Sequence, residues 1–488
     1  MRDYSFGNFL HELRKRRGLS QFQLGTLVGV SDKAVSKWEN GSAKPQSHTL
    51  FKLADVLGVT VDELLACKYR SAKAENEKGV FAMKNKLWDN AYQKLYKRYG
   101  NNLPIEISNR YLSEATEFQQ TDIIIYFDLL SKIRTVADNC NEIIRIEGGL
   151  GASFIAFVLG ATEINPLKPH YFCPNCRKIE FDKTAHCGWD LPKKSCSCGC
   201  ELLRDGHNLP FETVRPILHK NMHITISVSK KFYPEVKETI SNYFKENTVV
   251  TLVRNERQNL KTIVIVTDNI SDITNGQELS FNDYYERLRS FPSFTLIITE
   301  EFDSLRLMAQ ETNTSIKDLD FTCKEVLEQF KNGFSDKRSD YCKERFGEFP
   351  YETFNERIQI AGLSHCNDLW LDHAKTAIKN GKSVNDIFAY RDDVFNYIQN
   401  KIIENSLSNT GYAYEVMNKA YRGVYGKDGI SEETQQQFKS LGIDEYVINN
   451  IDKIQYLFPK AHSITFVKGA LIMMWYKINH PDVFEKYF

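Results

Sequence analysis

The chain has 488 residues, 42% apolar and 26% charged, enough to bury the cores of several domains. Lys+Arg and Asp+Glu balance at 63 each, so overall charge does not draw the protein to nucleic acid or to an anionic membrane, and any such binding needs a local patch. No apolar run approaches the ~18–20 residues of a membrane span, and a charged helical pattern rather than a leader opens the chain, so a cytoplasmic protein without a membrane partner is expected. Six of the 11 cysteines fall between Cys173 and Cys200. In a reducing compartment that clustering argues for a metal rather than disulfides.

Apolar spacing at Phe6, Phe9, Leu10 and Leu13 predicts a first helix, stopped by Gly18. A second helix starts after Leu19 with Ser20 as N-cap, and Val28-Gly29-Val30 turns the chain. Ser31 caps a third helix over 32–41, and two shorter helices follow near 48–57 and 61–66. Ala34, Val35 and Trp38 fall on one face of the third helix and should pack inward. Lys33, Ser36 and Lys37 fall on the other and can enter a major groove. The block from Leu19 to Pro45 resembles the Cro/phage-repressor (XRE) helix-turn-helix family. One departure is Gly25, where the family has Ala, at a cost of about 1 kcal/mol in helix stability. The resemblance implies phosphate contacts from Gln21 and Asn40. It implies base-edge positions for Gln23, Asp32, Lys33, Ser36 and Lys37, with Ser31 in the same DNA-facing set. It also implies a homodimer on palindromic double-stranded operator DNA. A helical protein–protein module is the alternative.

Residues 69–84 are polar without an apolar stripe and read as a linker. Trp88, Tyr92, Leu95 and Tyr96 have helical spacing, and a long helical stretch over 113–138 leads to the glycine-rich turn Glu147-Gly148-Gly149-Leu150-Gly151-Ala152-Ser153. Read alone, that turn is either a phosphate nest or a structural turn. Further on, Cys173-Pro174-Asn175-Cys176 is a zinc-knuckle half, and Cys196 with Cys198 is the first choice for the other, with Cys200 or Cys187 as substitutes. The spacing of the second half is irregular, one residue between cysteines instead of two. Four thiolates leave no open position for water, so such a Zn²⁺ is structural.

Blocks in the rest of the chain resemble the PolC-type DNA polymerase III α subunit of low-GC Gram-positive bacteria. They are Pro169-His170-Tyr171 with the first cysteine pair, Gly206-His207-Asn208-Leu209-Pro210-Phe211-Glu212, Ala361-Gly362-Leu363-Ser364-His365, Arg391-Asp392-Asp393 and Tyr456-Leu457-Phe458-Pro459-Lys460-Ala461-His462. The resemblance covers roughly 85–488 and is weakest at about 215–345. It implies palm, thumb and part of the fingers, without the family's exonuclease, PHP and clamp-binding regions. Two family palm aspartates match His223 and Thr225, and a third falls near Thr295. Nucleotidyl transfer needs two Mg²⁺ on anionic oxygens, which histidine and threonine do not replace. Asp268, Asp272, Glu300 and Glu301 stay open as substitute acids. The family's His-Pro-Gly-Gly turn is replaced by Asn259-Leu260-Lys261-Thr262, and Glu147 and Gly149 replace an arginine and a serine of its glycine turn. By the resemblance, Ser364 and His365, Lys460 and His462 line the nascent base-pair pocket, where nucleotide-mimicking inhibitors also bind. Gly148, Gly149, Gly151, Ser153, Leu369, Trp370 and Arg391 complete that candidate ligand set. The alternative is that these blocks persist for folding, with Leu363, Trp370 and Phe458 in the core.

The expected architecture is multidomain. An all-α, five-helix helix-turn-helix domain (1–68) and a linker (69–84) precede an α+β PolC-like polymerase core. That core divides into a palm/thumb region (85–345, zinc knuckle at 170–205) and a palm/fingers region (346–488). The expected function is a DNA-binding transcription regulator and not an enzyme. Its degenerate polymerase part senses a small molecule resembling a PolC inhibitor or a purine nucleotide. A DNA- or replisome-binding decoy from a mobile element is the alternative.

Overall fold

The computed structural model describes residues 4–59, 64, 75–119, 121–218, 222–244, 248–255, 260–266, 291–331, 351–406 and 410–488. The chain divides into two compact units, Met1–Asp128 and Leu129–Phe488. Helices predominate, with two sheets in the second unit.

The first unit opens with α1 (Tyr4–Arg16), α2 (Gln21–Val28), α3 (Asp32–Glu39) and α4 (Ser47–Leu57). Side chains set the starts of α2 and α3 by satisfying first-turn N–H groups. Ser20 accepts from the Gln23 N–H while the Gln23 side chain accepts from the Ser20 N–H, and Ser31 accepts from the Ala34 N–H. Gly29 at φ +78° ends α2 in the left-handed region. Leu10, Leu24, Val35 and Leu53 form a buried core with Trp38, and Ala34 is packed at its edge. Under the α2–α3 turn, a Cβ on Gly25 would lie 2.8 Å from the Val30 carbonyl oxygen. The residue that weakens the helix by propensity is therefore the one that lets the turn close. Of the expected fifth helix, only Leu64 is among the described residues, and it is buried in this core.

In the next stretch the linker gains a described conformation, and one helix expectation is corrected. Residues 69–74 of the expected linker lie outside the described residues, but residues 75–84 are helical, the start of α5 (Glu75–Tyr99). Trp88, Ala91, Leu95 and Tyr99 are buried at three- and four-residue spacing. From that packed half the helix extends backward, each added residue gaining one hydrogen bond. The single helix expected over 113–138 is two, α6 (Ile105–Phe118) and α7 (Ile123–Asn139). Where they break, Thr121 Oγ1 donates to the Phe118 carbonyl at 2.8 Å and accepts from the Ile123 N–H at 3.3 Å. A hydroxyl there competes with the backbone ladder.

The strands of the second unit are β1 (Ile144–Ile146), β2 (His170–Phe172), β3 (Ile179–Phe181), β4 (Leu203–Asp205), β5 (His223–Val228), β6 (Thr248–Asn255), β7 (Leu260–Val266) and β8 (Ser293–Ile298). One sheet runs β1-β5-β8-β7-β6 and the other β3-β2-β4. β5 and β8 pair in parallel, and the other pairs of the large sheet are antiparallel. Ile224, Ile226, Phe294 and Leu296 bury one side of the parallel pair, leaving His223, Thr225, Ser293 and Thr295 on the other. Helices of the second unit include α8 (Phe154–Leu159), α9 (Glu300–Thr312), α10 (Phe354–Ser364), α11 (Asp368–Lys379), α12 (Arg391–Glu404) and α13 (Lys460–Asn479). Asn259 and the expected domain junction at 345/346 lie outside the described residues, and Leu260 opens β7.

Candidate functional site

On the reading head, Asp32, Lys33 and Lys37 are exposed and Ser36 is half-buried, all on α3. Ser31 is exposed and holds the cap. The flanking candidates are engaged inside the protein. Gln21 Nε2 donates to Glu39 Oε2 at 2.8 Å, and Asn40 Oδ1 accepts from the Ser42 N–H at 3.0 Å. Gln23 is spent twice: its Oε1 accepts from the Ser20 N–H at 2.7 Å, and its Nε2 donates to the Tyr92 hydroxyl at 3.2 Å. These two bonds fix the orientation of the Gln23 carboxamide and leave one proton and one lone pair over. Glu39 is buried against Arg14, at 2.5 Å to Nε and 2.9 Å to Nη2, which ties α1 to α3.

The first-choice cysteines meet. The sulfurs of Cys173, Cys176, Cys196 and Cys198 all lie within 4.8 Å of one another, at the end of the small sheet. The irregular half works because Cys196 N–H donates to the Cys200 carbonyl at 2.8 Å, closing a tight turn in which Gly199 takes φ +88°. The Cys200 N–H, then the Cys176 thiol, hold Cys198 toward its thiolate, while the same contact pushes the Cys176 thiol up to about 12, so one proton is shared within the cluster. The substitutes stand outside this group of four. Cys187 Sγ lies 3.4 Å from His207 Nδ1 in a buried site, and Cys200 serves the turn through its backbone. Four sulfurs at these separations fit a tetrahedral metal site.

The positions matched to polymerase aspartates also come together. Thr225 on β5 and Thr295 on β8 are register partners, and His223 is opposite Ser293. The His223 ring lies 2.7 Å from Ser293 Oγ and 3.3 Å from Thr295 Oγ1. Arg145 on β1 pairs in register with Ser227 and so shares this face. It is only 6% exposed. Its guanidinium lies 3.7 Å from the centre of the Phe466 ring, with Glu147 at 3.7 Å and Glu301 at 3.6 Å. Glu301, one of the candidate substitute acids, is thus occupied by Arg145; Glu300 opens α9, and Asp268 and Asp272 lie outside the described residues. Among the described residues, the four cysteines are the one group of three or more His, Cys, Asp or Glu placed to hold a metal.

The candidate ligand set separates into three parts. In the glycine turn, a Cβ on Gly149 would lie 2.4 Å from Arg391 Nη2, and one on Gly151 would lie 2.9 Å from Ala461 Cβ. Ser153 Oγ accepts from the Ala156 N–H at 3.1 Å, and the Gly148 N–H donates to His462 Nδ1 at 3.3 Å. Arg391 is buried, and its Nη2 donates to the Thr213 carbonyl at 2.6 Å. This turn meets protein, which fits the structural reading and not the open phosphate nest. A second part belongs to the core. Buried Ser364 donates to the Ile360 carbonyl at 2.7 Å, and buried Trp370 to the Phe388 carbonyl at 2.9 Å, while Leu369 points to the surface.

The third part is a row of rings. His462 stacks on Phe458 with centroids 5.6 Å apart and planes at 13°. His365 meets Phe458 edge-on at 6.2 Å, Tyr456 meets it at 4.7 Å, and Phe466 adjoins His462 at 4.8 Å. His365, Tyr456 and Phe466 are exposed. Burial first, then Arg145 and His365, push His462 down to about 4, so it stays neutral and keeps its acceptor for Gly148. Sequence reading missed Arg145 and Phe466, and took Tyr456 only as the opening of a family-like block. The i, i+4 spacing from His462 on α13 marks Phe466, but Arg145 is brought here only by strand pairing.

The chain joins a helix-turn-helix bundle to a larger unit with a mixed five-stranded sheet, a helix-turn-helix protein with a second, α+β region. Residues 10–64 match the family model described as "Helix-turn-helix", and residues 85–278 match "Bacterial DNA polymerase III alpha NTPase domain". More particularly, the chain is similar to DNA polymerase III PolC-type proteins. It is 27% identical to that of Ureaplasma parvum serovar 3 over 83% of this chain and 33% of the relative. It is 24% identical to that of Caldanaerobacter subterraneus subsp. tengcongensis, over 80% and 33% of the two chains, and 23% identical to that of Clostridium perfringens, over 80% and 32%. The chain spans about a third of the length of these curated relatives.

Proposed function

We propose that this protein is a cytoplasmic, homodimeric transcription regulator whose polymerase-like region senses a planar small molecule and does not polymerise DNA. The observation that carries the reading is the ring row His365–Phe458–His462–Phe466, exposed at His365 and Phe466 and half-buried between, beside a palm face that holds His223, Thr225 and Thr295. A nucleobase or its mimic stacks on such rings for about 1–3 kcal/mol per base. The positions matched to the family's palm aspartates hold His223, Thr225 and Thr295, which supply no carboxylate to bridge a divalent metal, and this supports the loss of nucleotidyl transfer. The four cysteines take a structural Zn²⁺, holding the small sheet. On the reading head, Lys33, Ser36 and Lys37 read operator bases from the major groove. An effector switches operator binding only if it prefers the DNA-bound or the free form. Full switching needs about a 10⁴-fold preference, and tenfold would already be measurable. The test is thermal shift together with operator-fragment anisotropy, with a purine nucleotide and a nucleotide-mimicking PolC inhibitor as probes. A shift in both melting and operator affinity is expected. No change in either would sink the sensor reading, and Mg²⁺-dependent primer extension would sink the non-enzymatic one.

A further inference from the structure

A cavity of about 430 Å³ lies inside the first unit, where the end of α1 and one side of α2 meet α5 and α6. That volume is in the range of small-molecule sites. Leu19, Leu27 and Val56 line it from the reading head, Trp88 and Tyr92 from α5, and Tyr111 and Ala115 from α6. Trp88 and Tyr92, four residues apart, share one face of α5, and the Tyr92 and Tyr111 ring centroids are 6.2 Å apart. The Tyr92 hydroxyl accepts from Gln23 Nε2 at 3.2 Å and bonds the Tyr96 hydroxyl at 2.8 Å. Tyr111 differs. It is only 5% exposed, yet its hydroxyl has no hydrogen-bond partner among the described residues. A buried tyrosine ordinarily finds one, so an unpartnered hydroxyl on a cavity wall points to a polar atom of a bound molecule.

The charges decide the ligand class. Lys15, Arg16 and Arg17 line the cavity at the end of α1, and Asp89 is the one acid among the described residues that do so. Arg17 acts on Asp89, and its Nε donates to the Leu57 carbonyl at 3.2 Å. Lys15 is exposed and has no ion-pair partner among the described residues, while Arg16 stands 3.8 Å from an exposed Glu12. Three cations against one acid favour an anion. α1 presents its C-terminal end here, whose carbonyl dipoles oppose negative charge, so a singly charged carboxylate is favoured over a phosphate dianion. Trp88, Tyr92 and Tyr111 favour a flat ring beside it. We infer that this cavity binds a small planar aromatic carboxylate, its ring among Trp88, Tyr92 and Tyr111 and its carboxylate at Lys15 and Arg16. Gln23 and Leu27 also line the cavity, so the occupant touches α2 of the reading head itself. This site lies within the first unit and rests on neither the ring row nor the sensor reading.

The test is calorimetric titration of the full chain, without DNA, using indole-3-acetate and salicylate as probes. Saturable binding of at least one acid at one site per chain is expected. The uncharged indole-3-acetamide and salicylamide should bind about tenfold more weakly, which reads the charge in unaltered protein. Lys15→Glu combined with Arg16→Glu, both at exposed positions, should weaken the acids about tenfold or more and leave the melting temperature unchanged. Tyr111→Phe should weaken them about three- to tenfold, again without lowering the melting temperature, because the hydroxyl it removes bonds nothing in the protein. Failure of both acids to bind, equal binding of the amides, unchanged affinity in either variant, or tighter binding of phenyl phosphate would each overturn the assignment.

Discussion

Glu39 is buried against Arg14, and desolvation alone would raise its pKa. Hydrogen bonds from Arg14, Gln21 and His11 outweigh that and hold it below the usual carboxylate value. Its contribution to stability is therefore complete above the unfolded carboxylate pKa and is lost as the pH falls through the lower folded one. Glu39→Ala should destabilise the first unit by about 3–5 kcal/mol, because Arg14 is left buried and unpaired. Thermal unfolding at pH 7 measures this, and a change below about 1 kcal/mol would show that Arg14 reaches water instead. On α3, Lys37 is exposed, and Lys37→Ala should cost about 1–3 kcal/mol of operator affinity and relax sequence preference. Uniform weakening across sequences, with the salt slope reduced by about 1, would place Lys37 on a phosphate instead. Burial holds His207 and His462 at about 4, below the ordinary 6.5 of histidine. Each then favours folding at neutral pH, and that contribution is lost as the pH falls from about 6.5 toward 4. Histidine-selective NMR should find both rings neutral at pH 6, and a charged His462 at that pH would remove its acceptor role toward Gly148.

Among the elements, the small sheet β3-β2-β4 depends on the cysteine cluster at its end. Its three-residue strands supply little pairing by themselves. Metal analysis should find one zinc per chain, and Cys198→Ser should remove it and expose the sheet to hydrogen exchange. Zinc-free protein with full protection would contradict the structural role. α10 shows a different dependence. A Cβ on Gly362 would lie 2.4 Å from the Tyr390 ring, whose hydroxyl donates to the Ile358 carbonyl. Gly362→Ala should cost about 1–3 kcal/mol by overpacking, despite alanine's better helix propensity, read as a lower denaturation midpoint. The capped helices α2 and α3 were legible in the sequence because Ser20, Gln23, Gly29 and Ser31 act within a few residues of each other. The break between α6 and α7 was not, because apolar spacing runs through it and one hydroxyl decides it.

Across the molecule, each unit holds one end of the proposed switch, with the reading head in Met1–Asp128 and the ring row in Leu129–Phe488. An effector bound at the row should raise the melting temperature of the second unit and change operator affinity by tenfold or more. Effects on melting alone would make the row a ligand site without a switch. Much of the candidate site was legible as motifs: the cysteines, the Phe458–His462 block and the missing aspartates all stand in short runs. Their grouping was not. Ser364 and Trp370 look like pocket residues in the sequence and are core residues in the fold, while Lys460 and His462, two residues apart, line different spaces.

The sequence by itself determined the helix-turn-helix and the spacing of the four cysteines that the fold groups, because each depends on residue type at short spacing. Only the tertiary structure decided which of those residues face one another. Strand pairing put Arg145 on the face of His223 and Thr225, and close packing filled the glycine turn with Arg391 and Ala461. The same packing divided the expected single pocket, putting His462 in a ring row and Lys460 against a separate cavity walled by carboxamides. Those contacts join residues up to several hundred positions apart, and no local pattern records them.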